Sequence, residues 1–316
     1  MSTDSLKVLI VAGGLTHERD VSVRSGRRVA NSLINQGFDA KVVDFDQNLP
    51  AEISAFGPDV VWPLVHGSLG EDGSLQSLLE GVGVPYVGST PAQAMLASNK
   101  PTAKALVGAA GLDTPGWIAL PQLLFRQLGA HNVLGMINSS LTFPLVVKPS
   151  SGGSALGMSR AQDPGDLRSA MVDAFSYEEH VMLERFIEGR DIAVSVVDLD
   201  EGPIALPPVE VSTDDGHYDY EARYTTDESE YFVPARLSND EMTDVQAAAI
   251  QIHELLGLRD LSRIDFIVDD NGSFWFIDAN VSPGMTDTSL FPQAAEATGS
   301  FDEICAAIVR YVASRD

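Results

Sequence analysis

The chain begins with an unbroken apolar block, "KVLIVAGG", followed by "VSVRSGRRVANSLINQG", whose apolar positions recur at the spacing of a helix with one face in a core. The alternation continues through "DAKVVDF", "DVVWPLVHG", the helical "GSLQSLLEGVG" and "PYVG". This βαβαβ order predicts a parallel sheet with right-handed crossovers that ends near Ser89. Residues 91–110 then carry a helical pattern. "FPLVVKPSSGGSALGMS" reads as a strand entering a loop of small residues, and "HVMLERFI" as another strand, together a small α+β unit. From Gly189 onward come the strands "RDIAVSVVDL" and "PIALPPVEV", a polar loop over 214–229, a helix over 240–256, a hairpin and a closing helix over 301–313. The pattern divides the chain into units 1–90, 91–186 and 187–316 and contains no repeat, heptad run or low-complexity tract.

The hairpin, "RIDFIVDDNGSFWFIDANVSPGMT", carries a carboxylate on each strand where a core residue is expected. Asn271-Gly272 predicts a two-residue type I′ turn. With Asp270 and Ser273 flanking it, Asp265 faces Asp278 and Arg263 faces Asn280, all on one side. Ile264, Phe266 and Val268, with Trp275, Ile277 and Ala279, form the apolar side. Two carboxylates about 5 Å apart repel by roughly 3 kcal/mol at an effective dielectric near 20. A divalent cation with oxygen ligands would offset this, and magnesium with a phosphate-bearing substrate fits best. A solvated acidic hairpin is the alternative.

Composition narrows the classes. At 316 residues, 44% hydrophobic and 21% charged, the chain is an ordinary globular protein. A net charge of −25 opposes nucleic-acid and anionic-membrane binding. "VLIVAGG" is too short to span a bilayer and lacks the flanks of a secretory signal. The single cysteine excludes an internal disulfide framework and favours a reducing cytoplasm.

Several stretches hold candidate chemistry. Neither a dinucleotide fingerprint nor a Walker A loop is present. In "VVKPSSGGSALGMS" a strand delivers Lys148 to a loop whose amides can wrap phosphate oxygens, or which is simply a surface turn. "LERFIEGRD" offers Asp191 to ribose hydroxyls, or is a solvated acidic turn. "HYDYEARYTTDESEYF" could fold over a ligand with Arg223 and Tyr224 inward, or form a dimer contact. Glu18 stands at a helix N-terminus, as a cap or as a partner for a ligand ammonium. His66 lies at a strand C-terminus, where open α/β sheets bind ligands, or is structural.

Together, "GGLTHERDVSVRSG", "LVHGSLGEDG", "VVKPSSGGSALGMS", "YDYEARYTTDESEYF" and the hairpin resemble, in order and over nearly the whole length, the D-alanine:D-alanine ligase family of the ATP-grasp superfamily. The resemblance implies an α/β fold of three units with ATP between the second and third. It implies phosphate contacts from Lys100, Lys148, Gly152 and Gly153, and from Arg223 on the lid. Glu184, Arg185 and Ile187 match an adenine linker, and Asp191 the ribose site. Asp265, Asp278 and Asn280 match the ligands of two Mg²⁺ ions, with Mn²⁺ as a substitute. Glu18 matches the residue for the first alanine's ammonium, with His66 near its carboxylate, and Glu18, Ser154 and Tyr224 match a trio tying the lid to that site. Arg263 and the Gly284 amide match an oxyanion pair, and Ser289 with Leu290 a pocket for the second alanine's carboxylate.

The implied reaction is ATP-dependent formation of D-alanyl-D-alanine through an acylphosphate, for peptidoglycan precursors, by a cytoplasmic homodimer that binds neither nucleic acid nor membrane. Asp278 and Asp191 replace the family's usual glutamates, and Arg223 and Arg185 its usual lysines. A ligase using D-lactate, D-serine or another amino acid second is the alternative enzyme. An inactive ATP-binding regulator is the alternative class.

Overall fold

The computed structural model describes residues 5–153, 155–213 and 229–315. Its first sheet is parallel, in the order β2 (Asp39–Asp44), β1 (Lys7–Ala12), β3 (Val60–Pro63). β1 is buried on both faces, which is why it reads as a continuous apolar run. Helices α2 (Leu49–Phe56) and α3 (Ser74–Val82) cover one face. Helix α1 (Arg19–Asn35) covers the other, and Gly26 sets its approach: an added Cβ would lie 2.7 Å from the Ala12 Cβ. "PYVG" adds only a single parallel bridge, Val61 to Tyr86.

The helical stretch after it is two helices, α4 (Pro91–Ser98) and α5 (Lys100–Ala109). Asn99 breaks them by leaving helical geometry, and its side chain accepts the Thr102 amide at 3.0 Å, an N-cap. Both pack on the C-terminal sheet described below.

A four-stranded antiparallel sheet follows, in the order β4 (Trp117–Pro121), β7 (His180–Arg185), β5 (Leu145–Pro149), β6 (Ser159–Ala161). Helices α6 (Gln122–Leu128), α7 (Ala130–Ser140) and α8 (Pro164–Ala174) accompany it. Its core is formed by Val133, Ile137, Leu145, Val147, Leu167 and Val181.

The largest sheet runs β11 (Ser229–Phe232), β10 (Val209–Thr213), β8 (Arg190–Leu199), β12 (Leu261–Val268), β13 (Phe274–Asn280), with β9 (Gly202–Ala205) paired to the far end of β8. "PIALPPVEV" is therefore two strands. Helix α9 (Asn239–Leu255), opened by a Ser238–Glu241 capping box, packs on one face with α4 and α5. On the other face lie α10 (Leu290–Thr298) and α11 (Phe301–Ala313), and α11 also packs on α1 and β3. One core consequently joins the first and last sheets, from Val8 and Trp62 to Val211 and Val309.

The hairpin keeps the expected pairs by a different route. Asp265 faces Asp278 and Arg263 faces Asn280. The turn, however, is not type I′: Asp269 and Ser273 close a three-residue loop, and only Gly272 has positive φ, at 79°. Asp269 explains this, because its carboxylate accepts the amides of Asn271 and Ser273, an Asx arrangement that favours the longer turn. The register thus slips by one residue at the turn and is restored by a bulge at Ile277. The apolar side is corrected accordingly: Phe276 is buried there, while Ile277 faces a cavity and Trp275 is half-buried.

Candidate active site

The cavity lies between the four-stranded sheet and the largest sheet. Its walls include Lys148 at the end of β5, Gly152 and Gly153 of the loop that follows, Lys100 at the start of α5, Asp191 on β8, Asp265, Asp278 and Asn280 on the hairpin, and Leu290. Strand ends, a loop and two helix starts associated with both sheets therefore supply its chemistry, as strand ends and loops on a rigid frame do.

Lys100 ties the two walls together. Its Nζ donates to the Gly152 carbonyl at 2.9 Å and to Asp278 at 2.6 Å, while its amide donates to the Ser150 carbonyl at 2.9 Å. Gly152 takes φ 85°, a region open to glycine, which turns the loop towards the cavity. Glu178 holds the loop from behind by accepting the Ser151 amide at 2.7 Å.

The facing carboxylates are balanced within the chain. Arg263 donates two parallel bonds to Asp265, at 2.7 and 2.8 Å, and Asn280 donates to the same carboxylate at 3.1 Å. With Lys100 on Asp278, each acid has a cation beside it, so the repulsion argument alone does not require a metal. The donor set nevertheless suits magnesium. Asp265, Asp278 and Asn280 offer hard oxygens to one cavity, and no group of three or more His, Cys, Asp or Glu among the described residues is arranged to hold a metal ion by itself. Two carboxylates and an amide fit an ion that arrives with phosphate oxygens completing its shell.

Behind Lys148 lies a buried triad that the sequence reading did not contain. The Glu184 carboxylate is ion-paired with Lys148 and, at 2.8 Å, with Lys104. It does not line the cavity. Burial would raise this carboxyl, but the two lysines overcome it and hold it at about 2. Lys104 is pushed down to about 8 by burial, against the pull of Glu184. Its Nζ also donates to Thr114 and to the Phe276 carbonyl, each at 2.9 Å. The signal was available in "SNKPTAK", which sets Lys104 one helical turn after Lys100.

A second constellation surrounds Glu18. It occupies the N-cap position of α1, yet its side chain makes no capping bond, and it is buried. Its carboxylate lies against Gly67, where a Cβ would collide with it, and within 3.2 Å of where a Gly153 Cβ would be. Glycines at both places let the carboxylate sit between the loop after β3 and the loop after β5. His66 is buried beside it, with Nε2 3.2 Å from the Ser25 hydroxyl and Nδ1 3.6 Å from Glu71. Ser25 in turn accepts the Met285 amide at 3.0 Å. Glu71 and Ser25 were missed, because polar residues in a loop and on a helix carry no periodic signal.

The remaining expected residues are dispersed. Ser289 precedes α10, and its hydroxyl accepts the Thr286 amide at 3.0 Å. Gly284 is packed so closely that a Cβ would lie 2.8 Å from that hydroxyl. Arg185, at the end of β7, is exposed with its guanidinium 5.1 Å from the Trp275 ring centroid, and Ile187 is half-buried in the β7–β8 linker. Ser154, Arg223 and Tyr224 lie outside the described residues.

Residues 106–310 match the family model for the D-ala D-ala ligase C-terminus, and residues 47–89 that for the D-ala D-ala ligase N-terminus. A D-alanine–D-alanine ligase of Bordetella petrii is 37% identical over 310 residues, 98% of this chain and 93% of its own. Among solved structures, the VanG D-Ala:D-Ser ligase of Enterococcus faecalis aligns with a TM-score of 0.82 at 25% identity, over 98% of this chain and 100% of its own. The D-alanine–D-alanine ligase of Bacillus anthracis complexed with ATP aligns at 0.80 and 25% identity, over 98% and 97%. The matched length and the placing of lysines, a glycine-rich loop and carboxylates around one cavity agree, and the chain belongs to the D-alanine–D-alanine ligase family.

Proposed function

We propose that this chain joins two D-alanine molecules at the expense of ATP, giving D-alanyl-D-alanine, ADP and phosphate for peptidoglycan precursors. The observation that carries this reading is the cavity in which Lys100, Lys148, Gly152 and Gly153 face Asp265, Asp278 and Asn280. Lysines and loop amides suit a triphosphate. The carboxylates with Asn280 would hold Mg²⁺, which when bound neutralises phosphate charge. A carboxylate is a poor electrophile until its oxygen carries a phosphoryl group. The first step therefore moves the γ-phosphoryl of ATP to the first alanine's carboxylate and releases ADP. In the second, the amine of the other alanine attacks the acyl carbon, the C–O bond to phosphate breaks, and phosphate and a proton leave.

The chain's own groups support this reading. Glu18, buried between the loops that follow β3 and β5, supports binding of an ammonium, and His66 stands beside it. Arg263, nearly buried on β12, supports stabilisation of the tetrahedral oxygen together with the Gly284 amide. Ser289 and Leu290 open α10, where backbone amides favour a carboxylate. Three units, 1–90, 91–186 and 187–316, cytoplasmic residence and a homodimer belong to the same reading. No helix among the described residues is long and apolar enough to cross a membrane.

The similarity to the VanG D-Ala:D-Ser ligase favours testing other second substrates. Incubation with ATP, Mg²⁺ and a panel of D-amino and D-hydroxy acids, followed by mass spectrometry, is expected to give D-alanyl-D-alanine as the main product at neutral pH. A mixed depsipeptide or D-alanyl-D-serine as main product would replace the second substrate. ATP binding without D-alanine-dependent phosphate release would overturn the reaction.

A further inference from the structure

Helix α1 carries Arg24, Arg27, Arg28 and Asn31 on one face, at spacings of three and four. With Thr286, Asp287 and Thr288 of the loop before α10, they line a cavity of about 440 Å³. That volume is within the range of small-molecule sites. Three guanidinium groups face one carboxylate, a local reversal of sign in a chain of net charge −25.

The arginines are not equivalent. Arg28 is committed: it pairs with Asp287 at 2.8 Å, approaches Glu296 at 3.8 Å and lies 4.8 Å from the Phe301 ring centroid. It braces the wall. Arg24 and Arg27 are exposed and make no ion pair among the described residues. Like charges one helical turn apart destabilise a helix, so this pair costs stability unless an anion lies between them. Arginine forks meet phosphate and carboxylate oxygens two at a time, and the Asn31 amide and Thr288 hydroxyl add neutral donors.

We propose that this cavity binds a compact oxyanion of two or more charges, a phosphate ester or a polycarboxylate, through Arg24 and Arg27 of α1. The site is separate from the nucleotide cavity and shares no lining residue with it. Its second wall is the segment that fixes Ser289 through Thr286, whose hydroxyl lies 2.8 Å from that of Ser289. A bound anion thus ties α1 to the loop that opens α10.

The test is calorimetric titration of the full chain, held in saturating ADP so that the nucleotide cavity is filled, with inorganic pyrophosphate and with citrate in separate runs. One anion or both should bind with one-to-one stoichiometry, and the doubly substituted Arg24→Gln/Arg27→Gln protein should bind at least ten-fold more weakly while keeping its ADP affinity. Pyrophosphate alone identifies the phosphate class, and citrate alone the polycarboxylate class. No binding to the unsubstituted chain, or equal affinity in both proteins, overturns the proposal. So does a change of oligomeric state in the variant without any anion effect, which would make this face a contact between copies. Anion binding by a chain that takes no ADP would sink the ligase reading and leave this site standing.

Discussion

Glu184 shows how one buried side chain serves a site that it does not touch. Its carboxylate is enclosed by Lys104 and Lys148, and only Lys148 reaches the cavity. A lysine stem is flexible, so a fixed counter-charge behind it decides where its ammonium rests. The unfolded carboxyl takes its proton near 4.5 and the folded one near 2, against the opposing effect of burial. The stabilisation is therefore complete above pH 4.5 and is lost as pH falls from 4.5 towards 2. Thermal midpoints measured across that window should drop steeply for the unsubstituted chain and less for Glu184→Gln. The same variant should raise KM for ATP more than it lowers kcat, since Lys148 loses its anchor. Equal acid limbs in the two proteins would show that the carboxylate is not held ionised.

At the scale of elements, the close seat of α1 on β1 matters most. Gly26 allows that seat, and the helix carries Glu18 at its start, Ser25 inside and the arginines outside. Gly26→Ala puts a methyl 2.7 Å from the Ala12 Cβ, so the helix must move outward. Overpacking of this kind costs about 1–3 kcal/mol. The unfolding free energy from denaturant titration should fall by that amount, and KM for D-alanine should rise because Glu18 moves with the helix. Unchanged kinetics would detach Glu18 from the substrate site. The hairpin teaches the complementary lesson. Its acidic and apolar sides followed from alternation, and its facing pairs from an assumed two-residue turn; the real loop is one residue longer, and the bulge restores the same pairs. The bulge depends on distant groups: the Phe276 amide donates to the Asp113 carbonyl at 2.8 Å, and Lys104 and Thr114 donate to the Phe276 carbonyl.

For the whole molecule, the cavity is shared by two sheets joined through the short β7–β8 linker, so a ligand that contacts both walls should stabilise the fold as a unit. Ligand at about 100 times Kd adds about 2.7 kcal/mol. ADP with Mg²⁺ should raise the melting temperature clearly, ADP with a chelator should raise it less, and Asp278→Ala should erase the difference. A difference that survives the substitution would place the ion elsewhere. The net charge of −25 marks the arginine face of α1 as an exception to the rest of the surface.

Much of this was written in the chain itself. The unbroken apolar runs of β1 and β3 marked the first sheet as parallel, since strands covered by helices on both faces are apolar on both. Period-two alternation put Asp265 and Asp278 on one side of the hairpin, and the small residues after Lys148 marked the loop that lines the cavity. These are local signals, read within a few residues. What only the tertiary structure decided are polar groups whose partners are far away in sequence: Lys104 with Glu184, Lys100 with Asp278, and Ser25 with Met285. Periodicity says which side of an element is buried but not which other element it meets. A polar group in a core is fixed by that meeting, because burial without a partner costs more than the fold can spare.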